Sequence, residues 1–204
     1  IKLLEKSIQL YDIDDSLKLS KGYYLTFFYN LKGITYYLLN RERECLDMWL
    51  KTEKIAKRQN DSLMIKRVRN NIAIIYSTTG REKEALKIFK EDRLNAIKNK
   101  DTASIITANI NISTLDENLD SNIILLNQAK NLCKRTKIES GLTNIYTNLF
   151  SAYIDTSSIK YNLAEAKKNL DSLFYYAKKN SRTASISSYY EGLSIYYFLN
   201  KQYK

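Results

Sequence analysis

Histidine and proline are absent from this chain, and its 204 residues include only 5 glycines and 2 cysteines. Without histidine there is no imidazole to act as general base, no His-ligated metal and no Ser-His or Cys-His nucleophile pair, so a large share of enzyme chemistry is excluded. Without proline, and with so little glycine, the chain lacks the strongest helix breakers and the commonest hairpin and linker residues. That points to helices joined by short turns. Cys45 and Cys133 lack the CxxC spacing of a metal site or dithiol centre, and both read as reduced, small core residues. No apolar run is long enough to span a bilayer and no signal-peptide pattern is present, although Ile1 is not a methionine and a targeting segment could precede it. Two unpaired cysteines suit a bacterial cytoplasm or periplasm alike, so the compartment stays open.

Positive charge is plentiful, with 33 Lys and Arg against 22 Asp and Glu giving a formal net charge of +11. Such an excess attracts acidic proteins, nucleic acid or anionic membranes at long range. Its distribution favours ordinary solvated helix faces: Lys57-Arg58, Lys66-Arg67, Lys134-Arg135, Lys167-Lys168 and Lys178-Lys179 are dispersed and interleaved with carboxylates. A groove for an acidic ligand is the minority reading. The 17 tyrosines include doublets at Tyr23-Tyr24, Tyr36-Tyr37, Tyr175-Tyr176, Tyr189-Tyr190 and Tyr196-Tyr197, which beside basic residues could stack on nucleobases. Packing between helices accounts for one member of each doublet, and no winged or helix-turn-helix reading module is present. The carboxylate pairs Asp14-Asp15 and Glu82-Glu84 have no neighbouring lysine pocket or glycine loop, and no catalytic residue is assigned.

Self-similarity organises the chain. Tyr36-Tyr37-Leu38-Leu39-Asn40 matches Tyr196-Tyr197-Phe198-Leu199-Asn200 at four times a 40-residue period. Gly33, Tyr36, Asn40, Cys45, Leu46 and Trp49 correspond, one period later, to Ala73, Tyr76, Gly80, Ala85, Leu86 and Phe89. A third unit begins at Asp101, and a fourth places Leu149, Tyr153, Ala166 and Leu170 in comparable roles. Small residues (Gly33, Ala73, Cys45, Ala85, Ala166) mark where the two helices of a pair approach closely. Large ones (Tyr36, Tyr76, Tyr153, Trp49, Phe89) are expected to fill the space between one pair and the next. Val68, Ile72, Ile75 and Tyr76 form one helical stripe, and Ala85, Leu86 and Phe89 another. Gly80 supplies a stop, Asp61 and Asp101 read as N-caps, and Asn162 with Glu165 reads as a capping box.

Residues Asn70 to Phe89, with Asn71-Ile72-Ala73, Tyr76, Gly80, Glu84-Ala85-Leu86 and Phe89, resemble the tetratricopeptide repeat family, in its longer variety of about 40 residues joined by turns such as Asn60-Asp61. The third unit departs from the pattern with Asp116 in place of the tyrosine, the fourth carries an insertion around Asp155 to Tyr161, and the family's closing proline is missing. The implied fold is all-α, a right-handed α-solenoid of antiparallel helix pairs in a tetratricopeptide-like superhelix. Helices are predicted at about 1–11, 21–39, 42–59, 62–79, 82–98, 102–115, 119–135, 139–156, 162–179 and 182–200. They form one repeat domain: a half repeat at 1–20, repeats at about 21–60, 61–100, 101–137 and 138–180, and a half repeat at 181–204. Such a chain reads as an excerpt of a longer array, whose terminal helices would expose apolar surface for self-association.

The resemblance implies a non-catalytic module that binds a protein or peptide along a concave face lined by first helices, as a scaffold or the sensor part of a bacterial regulator. Here that face would carry Asn30, Arg67, Asn70, Asn71, Asn111, Asn144 and Asn148. An asparagine amide both donates and accepts, so it satisfies a peptide group whatever that peptide's side chain. Arg67 and the basic excess would favour an acidic partner. No cofactor and no metal is implied. A basic nucleic-acid-binding repeat protein is the alternative.

Overall fold

The computed structural model describes residues 22–200, together with Lys6. The rest of the half repeat at 1–20, and residues 201–204, lie outside the described residues. Every regular element among the described residues is a helix. In chain order they are α1 (Gly22–Leu38), α2 (Glu42–Arg58), α3 (Ser62–Thr78), α4 (Glu82–Lys98), α5 (Thr102–Ser113), α6 (Leu119–Thr136), α7 (Leu142–Ile154), α8 (Leu163–Lys179) and α9 (Thr183–Leu199). The fold is an all-α solenoid of consecutive helix pairs, α1/α2, α3/α4, α5/α6 and α7/α8, followed by α9.

The same turn recurs through most of the chain. Asn40, Asn60 and Lys100 each adopt φ 54°, Gly80 φ 76° and Ser181 φ 52°. The amide after each reaches back to a helical carbonyl: Arg41 N to Tyr36 O at 2.9 Å, Asp61 N to Ala56 O at 3.0 Å, Arg81 N to Tyr76 O at 2.8 Å, Asp101 N to Ala96 O at 2.9 Å and Arg182 N to Ala177 O at 2.9 Å. This left-handed closure, with its long backward bond, satisfies carbonyls that a helix end leaves orphaned. The 40-residue period is therefore built from two helix-plus-turn halves of equal length.

Side chains then start the next helix. Asp61 accepts from Met64 N at 2.9 Å and Asp101 from Ser104 N at 3.1 Å, as N-caps do. At the turns inside the first two pairs an arginine does the work. The Arg41 guanidinium lies 4.6 Å from the Tyr36 ring centre and donates to Glu44 at 2.8 Å, and Arg81 lies 3.8 Å from Tyr76 and donates to Glu84 at 2.9 Å. These bonds hold the Glu44 and Glu84 carboxyls below their usual range. The capping box expected at Asn162 is half-formed. Asn162 Oδ1 accepts from Glu165 N at 3.1 Å, but its own N–H is used by Tyr153 O at 2.8 Å, and the Glu165 carboxylate turns to Lys168 at 3.2 Å.

The two irregular units have local causes. Where tyrosine is expected, the Asp116 carboxylate accepts from Asn118 N at 3.1 Å and pairs with Lys90 at 3.1 Å, while its carbonyl takes Asn122 Nδ2 at 2.7 Å. The chain is thereby held in a turn, and α5 ends at Ser113. In the fourth unit, Asn162 N to Tyr153 O repeats the bond of Arg41 N to Tyr36 O with extra residues looped between. That loop is fastened by Asp155, which accepts from Ser157 N at 2.9 Å and Ser157 Oγ at 2.6 Å.

The chain divides into two compact units, one ending at Phe89 and the other starting at Lys90. The core of the first gathers Tyr36, Cys45, Met48, Trp49, Val68, Ile72 and Ile75, with Tyr76 and Ile88 packed against it. Gly33 is explained by Trp49: a Cβ there would lie within 2.5 Å of Trp49 Cδ1. Trp49 therefore packs inside its own pair, against α1, as well as joining the core that reaches α3. It thus fills the space toward the next pair, as expected, and the space within its own pair besides. Cys45 and Ala85 are fully buried, as the close-approach positions require.

The core of the second unit runs through Ile106, Leu126, Cys133, Leu142, Ile145, Leu149, Phe150, Ala166 and Leu170. Within it the first helices lie side by side, α5 touching α7 and α7 touching α9, while α6 packs on α5 and α7 and α8 on α7 and α9. Gly192 lets α9 approach, since a Cβ there would meet Leu170 Cδ1 at 2.8 Å and Phe150 Cε1 at 3.0 Å.

Candidate functional site

The predicted ligand-facing residues fall into two sets, one in each compact unit. In the first unit, α3 turns Val68, Ile72 and Ile75 into the core. Helical spacing places Arg67, Asn70 and Asn71 together on one face that flanks this stripe, with Asn71 three residues from Val68 and four from Ile75. Arg67 is exposed, whereas Asn70 and Asn71 are half-buried. The neighbouring Arg69 is tied to Glu53 of α2 at 3.6 Å.

Asn30 departs from the set. It is 5% exposed on α1, its Oδ1 is buried without a hydrogen-bond partner among the described residues, and its carbonyl accepts from Trp49 Nε1 at 3.4 Å. Its place is beside the Gly33–Trp49 contact rather than on an open face. The amide heading α1's polar row is thus enclosed by the packing of that tryptophan.

In the second unit α5 and α7 bring Asn111, Asn144 and Asn148 onto adjoining first helices. Asn148 Nδ2 donates to Ser113 Oγ at 3.4 Å across the two helices, and Ser113 Oγ in turn donates to Ile110 O at 2.7 Å. Asn144 lies one turn earlier on α7 and is exposed, while Asn111 and Asn148 are half-buried. Asn144, Asn148 and Ser113 give this face donors and acceptors in one row, while Asn111, two residues from Ser113, lies on a different side of α5. It contains no charged group from the predicted set, so what it can do chemically is hydrogen-bond a neutral backbone.

Other asparagines do structural work that sequence alone does not separate from binding. Asn109, fully buried, donates to Leu125 O at 3.2 Å and accepts from Arg93 Nε at 2.6 Å, tying α5 to α6 and α4. Asn169 donates to Glu165 O at 2.8 Å. Spacing from the core stripe is the signal that distinguishes them: Asn109 lies in line with Ile106 and Ile112, as Asn169 does with Ala166 and Leu173. Among the described residues no group of three or more His, Cys, Asp or Glu is arranged to hold a metal ion, and no helix is long and apolar enough to cross a membrane.

No protein-family model and no curated protein sequence matches this chain. Solved structures do. The crystal structure of the apo form of RapI is similar with a TM-score of 0.79 at 16% identity, covering 93% of this chain and 70% of that one. The crystal structure of BtubC (BKLC) from P. vanneervenii is similar with a TM-score of 0.58 at 14% identity, covering 98% of this chain and 76% of that one. At such identities the likeness shows the fold, a helical repeat, and nothing finer.

Proposed function

We propose that this chain is a non-catalytic helical-repeat module that binds an extended peptide or a segment of a partner protein, serving as a scaffold or as the sensor part of a bacterial regulator. The observation that carries this reading is the polar row where α7 adjoins α5, in which Asn148 meets Ser113 and Asn144 stands exposed one turn away. Polar groups half-buried on a helix face are costly to leave unsatisfied, by about 1–3 kcal/mol each, so a hydrated face that closes over a peptide backbone is the arrangement physical chemistry favours. The absence of histidine and of any assigned catalytic constellation fits a binding role. The helical-repeat fold shared with RapI is one whose stacked helices offer an extended face to a partner's segment.

The test is selection of a phage-displayed random heptapeptide library on the full chain. Enriched sequences should lose capture when Asn144 and Asn148 are both changed to alanine, with the helical circular dichroism unchanged. Undiminished capture by the folded double variant would put the binding surface elsewhere.

A further inference from the structure

The second unit carries a groove of about 700 Å³ away from the amide row, lined by Lys134 of α6, by Lys168, Tyr175 and Tyr176 of α8, and by Tyr146 and Tyr196 of α7 and α9. Its volume is that of a site for a small ligand or a few residues of peptide. Its charge is not internally balanced. Lys167 and Asp171, both in the wall, form an ion pair with each other, and Lys168 reaches Glu165 at 3.2 Å. Lys134 has no such partner among the described residues, and neither has Lys130, half-buried one helical turn before it. Like charges four residues apart on a helix repel, and Lys168 brings a third positive charge from the neighbouring second helix. Lys130 lies outside the groove's wall; burial chiefly, and Lys134 and Lys168 after it, hold its ammonium below the usual range, with Glu165 opposing.

The groove's remaining wall is aromatic. Tyr146 and Tyr176 stack at 5.7 Å between ring centres, and Tyr175 meets Tyr176 edge-on at 5.0 Å. Tyr175 nonetheless leaves most of its ring to solvent. The unpaired ammonium of Lys134 and the exposed ring of Tyr175 suit a ligand with carboxylates next to apolar side chains. The lysines are confined to one spot rather than spread along a track, which fits two carboxylates and not a run of phosphates.

We propose that this groove binds an acidic segment of a partner protein, two neighbouring Asp or Glu side chains held by Lys134 and Lys168 with an adjacent apolar side chain laid on Tyr175 and Tyr196. None of Asn144, Asn148 and Ser113 lines the groove, so the site is separate from the polar row. Its occupant supplies the countercharge that Lys134 lacks, so binding and stability are coupled.

The experiment is fluorescence anisotropy on the full chain with a fluorescein-labelled hexapeptide of five glutamates and one tyrosine, beside the same peptide with glutamine for glutamate. The acidic peptide should bind and the glutamine peptide should not, with affinity falling as salt is raised. Lys134→Gln with Lys168→Gln should weaken binding at least tenfold, and Asn144→Ala with Asn148→Ala should leave it unchanged. Lys168→Gln alone serves where the double variant loses helix content, because its side chain is 75% exposed. A change of less than twofold in that single variant overturns the proposal. So does failure of the acidic peptide to bind, or tighter binding of a single-stranded oligonucleotide or phosphatidylserine vesicle through the same lysines.

Discussion

Replacing Gly33 by alanine tests the packing of the first pair against the simplest rule of helix propensity. In a helix interior the substitution should stabilise by about 1 kcal/mol on propensity alone. Here the new methyl would lie within 2.5 Å of Trp49 Cδ1, where carbon atoms prefer roughly 3.5–4.0 Å. Trp49 is 3% exposed, so its ring has no free space to move into without shifting α1 from α2. Overpacking of this kind costs about 1–3 kcal/mol. Displacing the indole also breaks its bond to Asn30 O, worth about 1 kcal/mol. The net expectation is destabilisation of about 1–3 kcal/mol. The second unit of the repeat supplies the compensation, because it carries Ala73 and Phe89 at the corresponding places. Trp49→Phe alone should cost about 1 kcal/mol, and Gly33→Ala with Trp49→Phe should cost less than the sum of the singles. Urea unfolding followed by circular dichroism reads all three. Stabilisation by Gly33→Ala alone, or strict additivity in the double variant, would refute the packing argument.

Three further outcomes follow from the turns and the core. Gly80→Ala should destabilise by about 1–2 kcal/mol and Lys100→Gly should stabilise by up to about 1 kcal/mol, because both residues have left-handed φ and the Gly80 site is open, leaving backbone conformation as the only variable; thermal unfolding measures both. Cys45 should resist a thiol reagent until the chain unfolds, since burial pushes its thiol up to about 12, and Cys45→Leu should cost more than Cys45→Ala through overpacking. Because that folded value is raised, the thiol's contribution to stability is full below the unfolded value near 8.5 and is lost as pH rises toward 12, which urea unfolding between pH 7 and 10 would reveal.

The repeat was legible because its period is carried by residues with single-purpose physics. Asn40, Gly80 and Asn60 close turns, Asp61 and Asp101 open helices, and Cys45 and Ala85 sit where bulk is forbidden, so each could be read without a partner in view. The bounds of α5 and α7 were less legible. They depend on what Asp116 and Asp155 bond to, and a carboxylate's partner is a property of the folded chain. Asparagine illustrates the same limit at the candidate site. Asn109 and Asn148 are alike as letters, yet one is locked between helices and the other lies on their shared polar face. Asn30 shows a neighbour overruling position, for its enclosure follows from Trp49 across the helix pair. The groove's Lys134 and Lys168 were read in sequence as dispersed solvated charge, because they come to line one groove only once α6 and α8 are packed on α7.

The most direct test of the binding role is side-chain amide NMR of the ¹⁵N-labelled chain titrated with a heptapeptide selected on it. The Asn144 and Asn148 amide resonances should shift with a common dissociation constant while those of Asn109 and Asn169, committed to the packing of the helices, stay in place. Shifts confined to other residues, with Asn144 and Asn148 unmoved at saturation, would contradict peptide capture by the first helices.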